Sequence, residues 1–367
     1  MSAPTTTRPG PSGLLARRRE RDTSRTVFTA VGQILAVLVG LVIAFGVADP
    51  EAFLSVANFR SIAQNVAILT VLGVGVTFVI ITSGIDLSLG SVLVFSSIVA
   101  AKAMDLAGGQ GAVAAVVGVV AAVAAGLGWG AVNGLLVTVT SVPPLIATLG
   151  TMGAALGLSQ VITGGVDIRV SNDLLTQVIG YGNVVGQLPV LVVIAAVVVV
   201  LGAFVLHRTR FGKYTYAVGS NAEGARRAGI AVNAHLVKVY MLCGGLAGLA
   251  GILSVAFFQT TTIAGQTNTA LNVIAGVVIG GTSLFGGVGT VVGTVIGLCI
   301  PAVLQSGFVI IGVQPYWQQV VVGAVLVAAV IIDQRRRARR TGRGTPARRW
   351  RRRAGTAFTG QDAGPAS

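Results

Sequence analysis

The stretch NVAILTVLGVGVTFVIITSGIDLSLGSVLVFSSIVA, residues 65–100, holds a single ionisable side chain, Asp86, in a short polar turn between two apolar runs. Extended to their polar borders, the runs reach about twenty residues each, the helix length that crosses a hydrocarbon layer roughly 30 Å thick. The pattern predicts two membrane-spanning helices, 59–82 and 87–105, joined through Thr82-Ser83-Gly84-Ile85-Asp86-Leu87-Ser88.

The same pattern recurs on both sides of this pair, with apolar runs at 27–48, 111–140, 144–162, 189–206, 236–258, 270–286, 289–312 and 316–332. The expected fold is therefore all-α, a polytopic membrane bundle of about ten transmembrane helices. Hydrophobic residues make up 53% of the 367 positions and charged residues 10%, whereas a water-soluble domain needs about a quarter of its residues charged.

The net charge of +15 would suggest a nucleic-acid partner if the 26 Lys and Arg residues were spread over one surface. They are clustered instead: Arg8 to Arg25 before the first run, Arg208 to Lys238 in the middle, and Arg335 to Arg353 in the tail. Clusters that flank spans obey the positive-inside rule, so all three are expected in the cytoplasm and nucleic acid is not an expected partner. An even number of spans must then separate successive clusters, and the count is six followed by four. Both termini are expected in the cytoplasm of a multi-pass plasma-membrane protein. The organisation reads as a basic arm 1–26 leading to an uncleaved first span, a membrane domain 27–333 with a cytoplasmic loop at 207–235, and an Arg-rich tail 334–367. Such a tail is expected to be disordered, with loose contact to anionic lipid.

Glycines recur at a spacing of four, at Gly126, Gly130 and Gly134, at Gly289, Gly293 and Gly297, and at Gly244 and Gly248; this spacing lets helix backbones approach closely. The run Gly286 to Gly293 lacks the GK[ST] ending of a phosphate loop, so packing is the expected role and no nucleotide or metal cofactor is expected on this chain. Cys243 and Cys299 both fall inside apolar runs, where a thiol behaves as a small hydrophobe.

The loop 207–235 carries helix signals of its own. Ser220 and Glu223 have the spacing of a capping box, Arg226 and Arg227 stand where cations favour the helix dipole, and Gly229 can adopt the left-handed conformation that ends a helix. So short a helix does not persist alone in water. It must lie against its own bundle or against a soluble partner, and the pattern leaves both open.

Few residues could carry chemistry. Asp86 stands at bilayer depth, where a carboxylate needs donors, water or a proton; with Ser88 beside it, it reads as a pathway or gate residue or as a cap for the following helix. Asn65, Thr82, Asn133, Thr148 and Gln259 are polar positions within or bordering apolar runs. They suit a neutral polyhydroxyl solute, and equally well hydrogen bonds between helices. His207 and His235 form no metal or catalytic motif, which leaves an enzyme without support. An ion-coupled carrier acting alone is the alternative, although one intramembrane carboxylate falls short of the coupled sets such carriers use.

From Phe53 to Asp333 the chain resembles the ribose-type permeases of ABC sugar importers, within the branched-chain amino acid/ribose permease superfamily. The residues that carry the resemblance are Thr82 to Gly90 (TSGIDLSLG), Phe53 to Phe59 (FLSVANF), Ile146 to Gly150 (IATLG), Arg210 to Tyr214 (RFGKY), Ala217 to Asn221 (AVGSN), Gly229-Ile230, and Gly280 to Leu284 followed by Gly286, Gly287 and Gly289. The resemblance implies an importer type II-like permease fold working by alternating access, two copies enclosing one path. It also implies an extracytoplasmic sugar-binding protein and a cytoplasmic ATPase that holds the ATP and Mg. The segment holding Gly219, Ser220, Asn221, Glu223, Arg226, Arg227 and Gly229 is then the coupling helix that touches this ATPase. One departure is that Ala270 and Asn272 stand where the family often has two acidic residues.

Overall fold

The computed structural model describes residues 32, 34–264 and 268–314, with residues 317, 319–324, 327–328, 330–331 and 334 beyond them. The basic arm 1–26 and residues 335–367 of the tail lie outside the described residues.

The described chain is a bundle of helices. Seven are long and apolar enough to cross a membrane: α3 (Val56–Ile81), α4 (Leu89–Leu106), α5 (Gly111–Val139), α6 (Pro144–Thr163), α7 (Val190–Arg208), α10 (Val232–Phe258) and α12 (Val291–Ile310). Two apolar helices are shorter, α1 (Ile34–Ala48) and α11 (Thr269–Ile279). Three others are short: α2 (Pro50–Phe53), α8 (Arg210–Ser220) and α9 (Ala222–Arg227). Of the expected span 316–332, the described residues, 317, 319–324, 327–328 and 330–331, are all helical.

The eighth expected span, 270–286, differs from its reading. Its helix α11 stops at Ile279, the backbone turns at Gly281 with φ +92°, and residues 280–290 form a hairpin-like loop that feeds α12. Eleven residues rise only about 16 Å, a length that covers about half of a hydrocarbon layer roughly 30 Å thick. Interrupted helices of this kind are tolerated at membrane depth only where protein or a cavity satisfies the freed backbone.

Local chemistry fixes the starts. The Ser55 hydroxyl accepts from the Asn58 amide at 3.2 Å at the head of α3, and the Thr290 hydroxyl accepts from the Gly293 amide at 3.0 Å at the head of α12, each relieving an orphan donor of a first turn. Helix α3 is the centre of the bundle, with Val71, Phe78, Val79 and Ile80 fully buried, and it packs beside α10, α12 and α7. Helix α7 lies at the edge and turns Val197, Leu201 and Phe204 outward, an apolar face suited to lipid.

The glycine registers act as the spacing predicts. A methyl group added to Gly130 would stand 2.3 Å from the carbonyl oxygen of Tyr240, and one on Gly244 would stand 2.2 Å from that of Gly126, so α5 and α10 touch backbone to backbone. Gly297 meets Gly276 in the same way, joining α12 to α11. Gly286, Gly287 and Gly289 depart from this role, because they sit in the 280–290 loop before α12, the first two with φ of +79° and +74°.

At the end of the bundle away from Asp86, the connector 163–189 is ordered by its own polar residues. Asp167 Oδ1 accepts from the Thr261 hydroxyl at 3.1 Å and the Ile263 amide at 2.9 Å, and Val170 donates to Gln259 O at 2.9 Å. A π-helical turn, Leu174–Gly180, follows.

Candidate functional site

Asp86 lies in the turn between α3 and α4 and is 2% exposed. Its Oδ1 accepts from the Ser88 amide at 2.9 Å and from the Ser88 hydroxyl at 2.6 Å. No salt bridge among the described residues reaches it. The carboxylate therefore folds its own turn and orients Ser88, the residue from which α4 departs.

Ser88 extends the network. Asn133 Nδ2 of α5 donates to the Ser88 hydroxyl at 2.8 Å, and the Thr151 hydroxyl of α6 donates to Asn133 Oδ1 at 2.6 Å. One turn earlier on α6, the Thr148 hydroxyl accepts from the Leu87 amide at 3.2 Å. Four expected site residues, Asp86, Ser88, Asn133 and Thr148, thus meet in one buried network that ties the α3–α4 turn to α5 and α6. The side chains of Asp86, Ser88 and Asn133 are engaged with one another, and the Thr148 hydroxyl with the backbone of the turn and of its own helix. Thr151 was not singled out from the sequence, although Thr148 and Thr151 share one face of a helix at a spacing of three.

The other two expected pathway residues stand apart. The Thr82 hydroxyl donates to its own helix, to Val79 O at 2.7 Å. Asn65 is half-buried in α3, seventeen residues before Thr82 and so about 25 Å away along the helix. Gln259 ends α10 in the left-handed conformation, φ +58°, and its role there is backbone geometry.

Beside the network, a small, largely apolar cleft opens between α4, α6 and the start of α11, lined by Leu87, Ser91, Met152, Leu156, Ile263 and Ala270. Ala270, one of the two positions without an acidic side chain, faces this cleft.

In the 207–235 segment the expected capping box is not the cap that forms. Ser220 is the last residue of α8, and Asn221 caps α9 by accepting from the Gly224 amide at 2.8 Å. The reason is chain geometry: α8 continues one residue further than the motif allows, so the cap moves to the next residue able to accept. Glu223 turns instead to Arg226 and Arg227, each at 3.1 Å. Gly229 ends the helix at φ +84°, as its sequence position predicts. α9 is anchored by Ala225, which packs on Val218 and Val232, while its charged side chains face outward.

Gly219 touches the rest of the bundle directly: a methyl group there would stand 1.7 Å from the Ile81 carbonyl oxygen. Tyr216 donates to Gly289 O at 2.6 Å. Burial pushes the Tyr216 phenol up to about 12, so it remains a protonated donor near neutral pH. Among the described residues no three His, Cys, Asp or Glu side chains gather where a metal ion could be held.

Residues 58–330 match the family model described as branched-chain amino acid transport system / permease component. The chain is similar to the ribose import permease protein of Escherichia coli (strain K12), 39% identical over 287 residues that cover 77% of this chain and 88% of the relative. It is similar to the D-allose transport system permease protein of the same organism, at 36% over 306 residues, covering 82% and 90%. The ribose import permease protein of Bacillus subtilis (strain 168) is 36% identical over 323 residues, covering 87% and 98%. No solved structure matches the chain significantly.

Proposed function

The chain belongs to the branched-chain amino acid transport system / permease component family, a multi-pass membrane transport component rather than an enzyme, and from that premise we propose that it is the permease of an ABC importer for a monosaccharide or related solute. The names of its relatives, which include ribose, allose and fructose permeases, supply the solute class. In this reading a cytoplasmic ATPase holds the ATP and Mg, an extracytoplasmic binding protein delivers the sugar, and a second copy of the chain completes the path.

The observation that carries the coupling is α9. A six-residue helix cannot hold itself in water; this one is pinned to the bundle by one small side chain and presents Glu223, Arg226 and Arg227 outward. A soluble subunit that grips those charges has a rigid handle on the bundle. On this reading ATP-driven closure of the ATPase pulls α9, and the bundle switches between two packed states. Asp86, Ser88, Asn133 and Thr148 belong to the joint that switches, with the cleft at Ala270 beside it.

The test is reconstitution with the ATPase and binding protein and a panel of labelled ribose, allose, fructose and galactose. Uptake that requires both partners and ATP is the expected result. Uptake by the chain alone would sink the reading and favour an ion-coupled carrier.

A further inference from the structure

Three segments distant in sequence meet at the Asp86 end of the bundle, and they meet largely through backbone. Ser83, at φ +64°, donates its hydroxyl to Phe285 O at 2.9 Å and also lies 3.3 Å from Gly219 O. The Gly287 amide donates to Ile81 O at 2.8 Å. Tyr216 reaches Gly289 O, and a methyl group on Gly287 would stand 3.4 Å from the Ser220 Cβ. The end of α8, the α3–α4 turn and the 280–290 loop are thus stitched pairwise, with glycines where any side chain would part them.

The placement of this junction gives it a use. On one side Val218 packs on Ala225 of α9. On the other, Ser83 is three residues from Asp86, whose partner Ser88 starts α4, and Gly289 directly precedes Thr290, the cap of α12. We propose that these three segments form one block that moves as a unit with α9 and carries its displacement to the starts of α4 and α12, Ser83 and Tyr216 being the positioning residues that hold the block together. The proposal rests on the coupling role of α9 argued above.

Cross-linking tests the block. In the complex with its ATPase, the Ser220→Cys/Gly287→Cys pair should oxidise to a disulfide in equal yield with no nucleotide, with ATP and after vanadate trapping. The oxidised complex should hydrolyse ATP at the rate it shows after reduction. Yield lost in one nucleotide state, or hydrolysis that stops on oxidation and returns on reduction, overturns the proposal. Because the Gly287 position strains a cysteine, hydrogen–deuterium exchange of the peptide 284–290 in the unmodified complex gives a second reading. Equal protection in all three states is expected, and opening in any of them is disqualifying.

The positioning role has its own readout. With the labelled sugar panel as probe, Tyr216→Phe combined with Ser83→Gly should raise the ATP hydrolysed per sugar moved at least tenfold. A purely structural defect would lower both rates together and leave the ratio unchanged, which would refute the role. Failure of the underlying reading looks different, since then Glu223→Lys would leave assembly with the ATPase intact.

Discussion

At the scale of single residues, Asp86 acts through what it accepts. Its Oδ1 takes two hydrogen bonds from Ser88, and an amide oxygen in the same place can take both. Asp86→Asn is therefore expected to keep the thermal midpoint of the detergent-solubilised protein within a few degrees. Asp86→Ala leaves a buried amide unpaired, a loss of about 1–3 kcal/mol, and should lower the midpoint clearly. Equal midpoints for the two variants would mean that the charge, and not the acceptor, is what the turn needs. Asn133 poses the same question one step along. Asn133→Leu removes one hydrogen bond each from Ser88 and Thr151 while both hydroxyls keep an acceptor, Asp86 and Thr148 O, and should destabilise by about 0.5–1.5 kcal/mol per lost bond, read in the same melt. This network was half legible: Asp86 and Asn133 stood out because a polar residue in an apolar run needs a partner. Thr151 did not, since a threonine in a helix can always bond its own backbone, as it also does here to Thr148 O at 3.2 Å.

At the scale of elements, hydropathy placed the long helices to within a few residues, because about twenty apolar residues in lipid have little choice but to be helical. It failed at α11, where apolar character continues past Ile279 but the helix does not. Gly280 and Gly281 give the chain a way out, and α12 already occupies the space beside them through Gly293 and Gly297. Hydropathy reports what a residue can be buried in, and tertiary contact decides where its backbone turns. The cap of α9 was misplaced for a related reason, since how far α8 runs depends on its seat against α3 and on the 280–290 loop. The glycine registers allow a paired test on a single helix. Gly130→Ala drives a methyl into the Tyr240 carbonyl, while Gly128 has nothing within 4 Å of an added Cβ. The first should cost about 1–3 kcal/mol or more through overpacking. The second should be neutral, or stabilising by up to about 1 kcal/mol through helix propensity. Size-exclusion profiles after a heat step separate the two, and matching losses would show that α5 and α10 do not meet where described.

At the scale of the whole molecule, charge divides the two ends of the bundle. Arg208, Arg210, Lys213, Arg226, Arg227 and Lys238 lie toward the end that holds Asp86 and α9; Asp49, Glu51, Asp105, Asp167 and Asp173 lie toward the other, with Arg60, Lys102 and Arg169 among them. The positive-inside rule predicts a bundle with α9 inward, and the proposed coupling depends on that orientation, since an ATPase has access to ATP only there. Single cysteines decide it. Ala228 is exposed beside the end of α9, and Val185 is 76% exposed on the opposite connector. The native Cys243 is buried, and Cys299 is partly so within α12, so the unmodified chain serves as the blank. A membrane-impermeant maleimide added to intact cells should label Val185→Cys and spare Ala228→Cys, and inside-out vesicles should reverse the pattern. If Ala228→Cys reacts from outside, α9 faces the wrong compartment, and neither an ATPase handle nor the block built on it can operate there, however well the helices are packed.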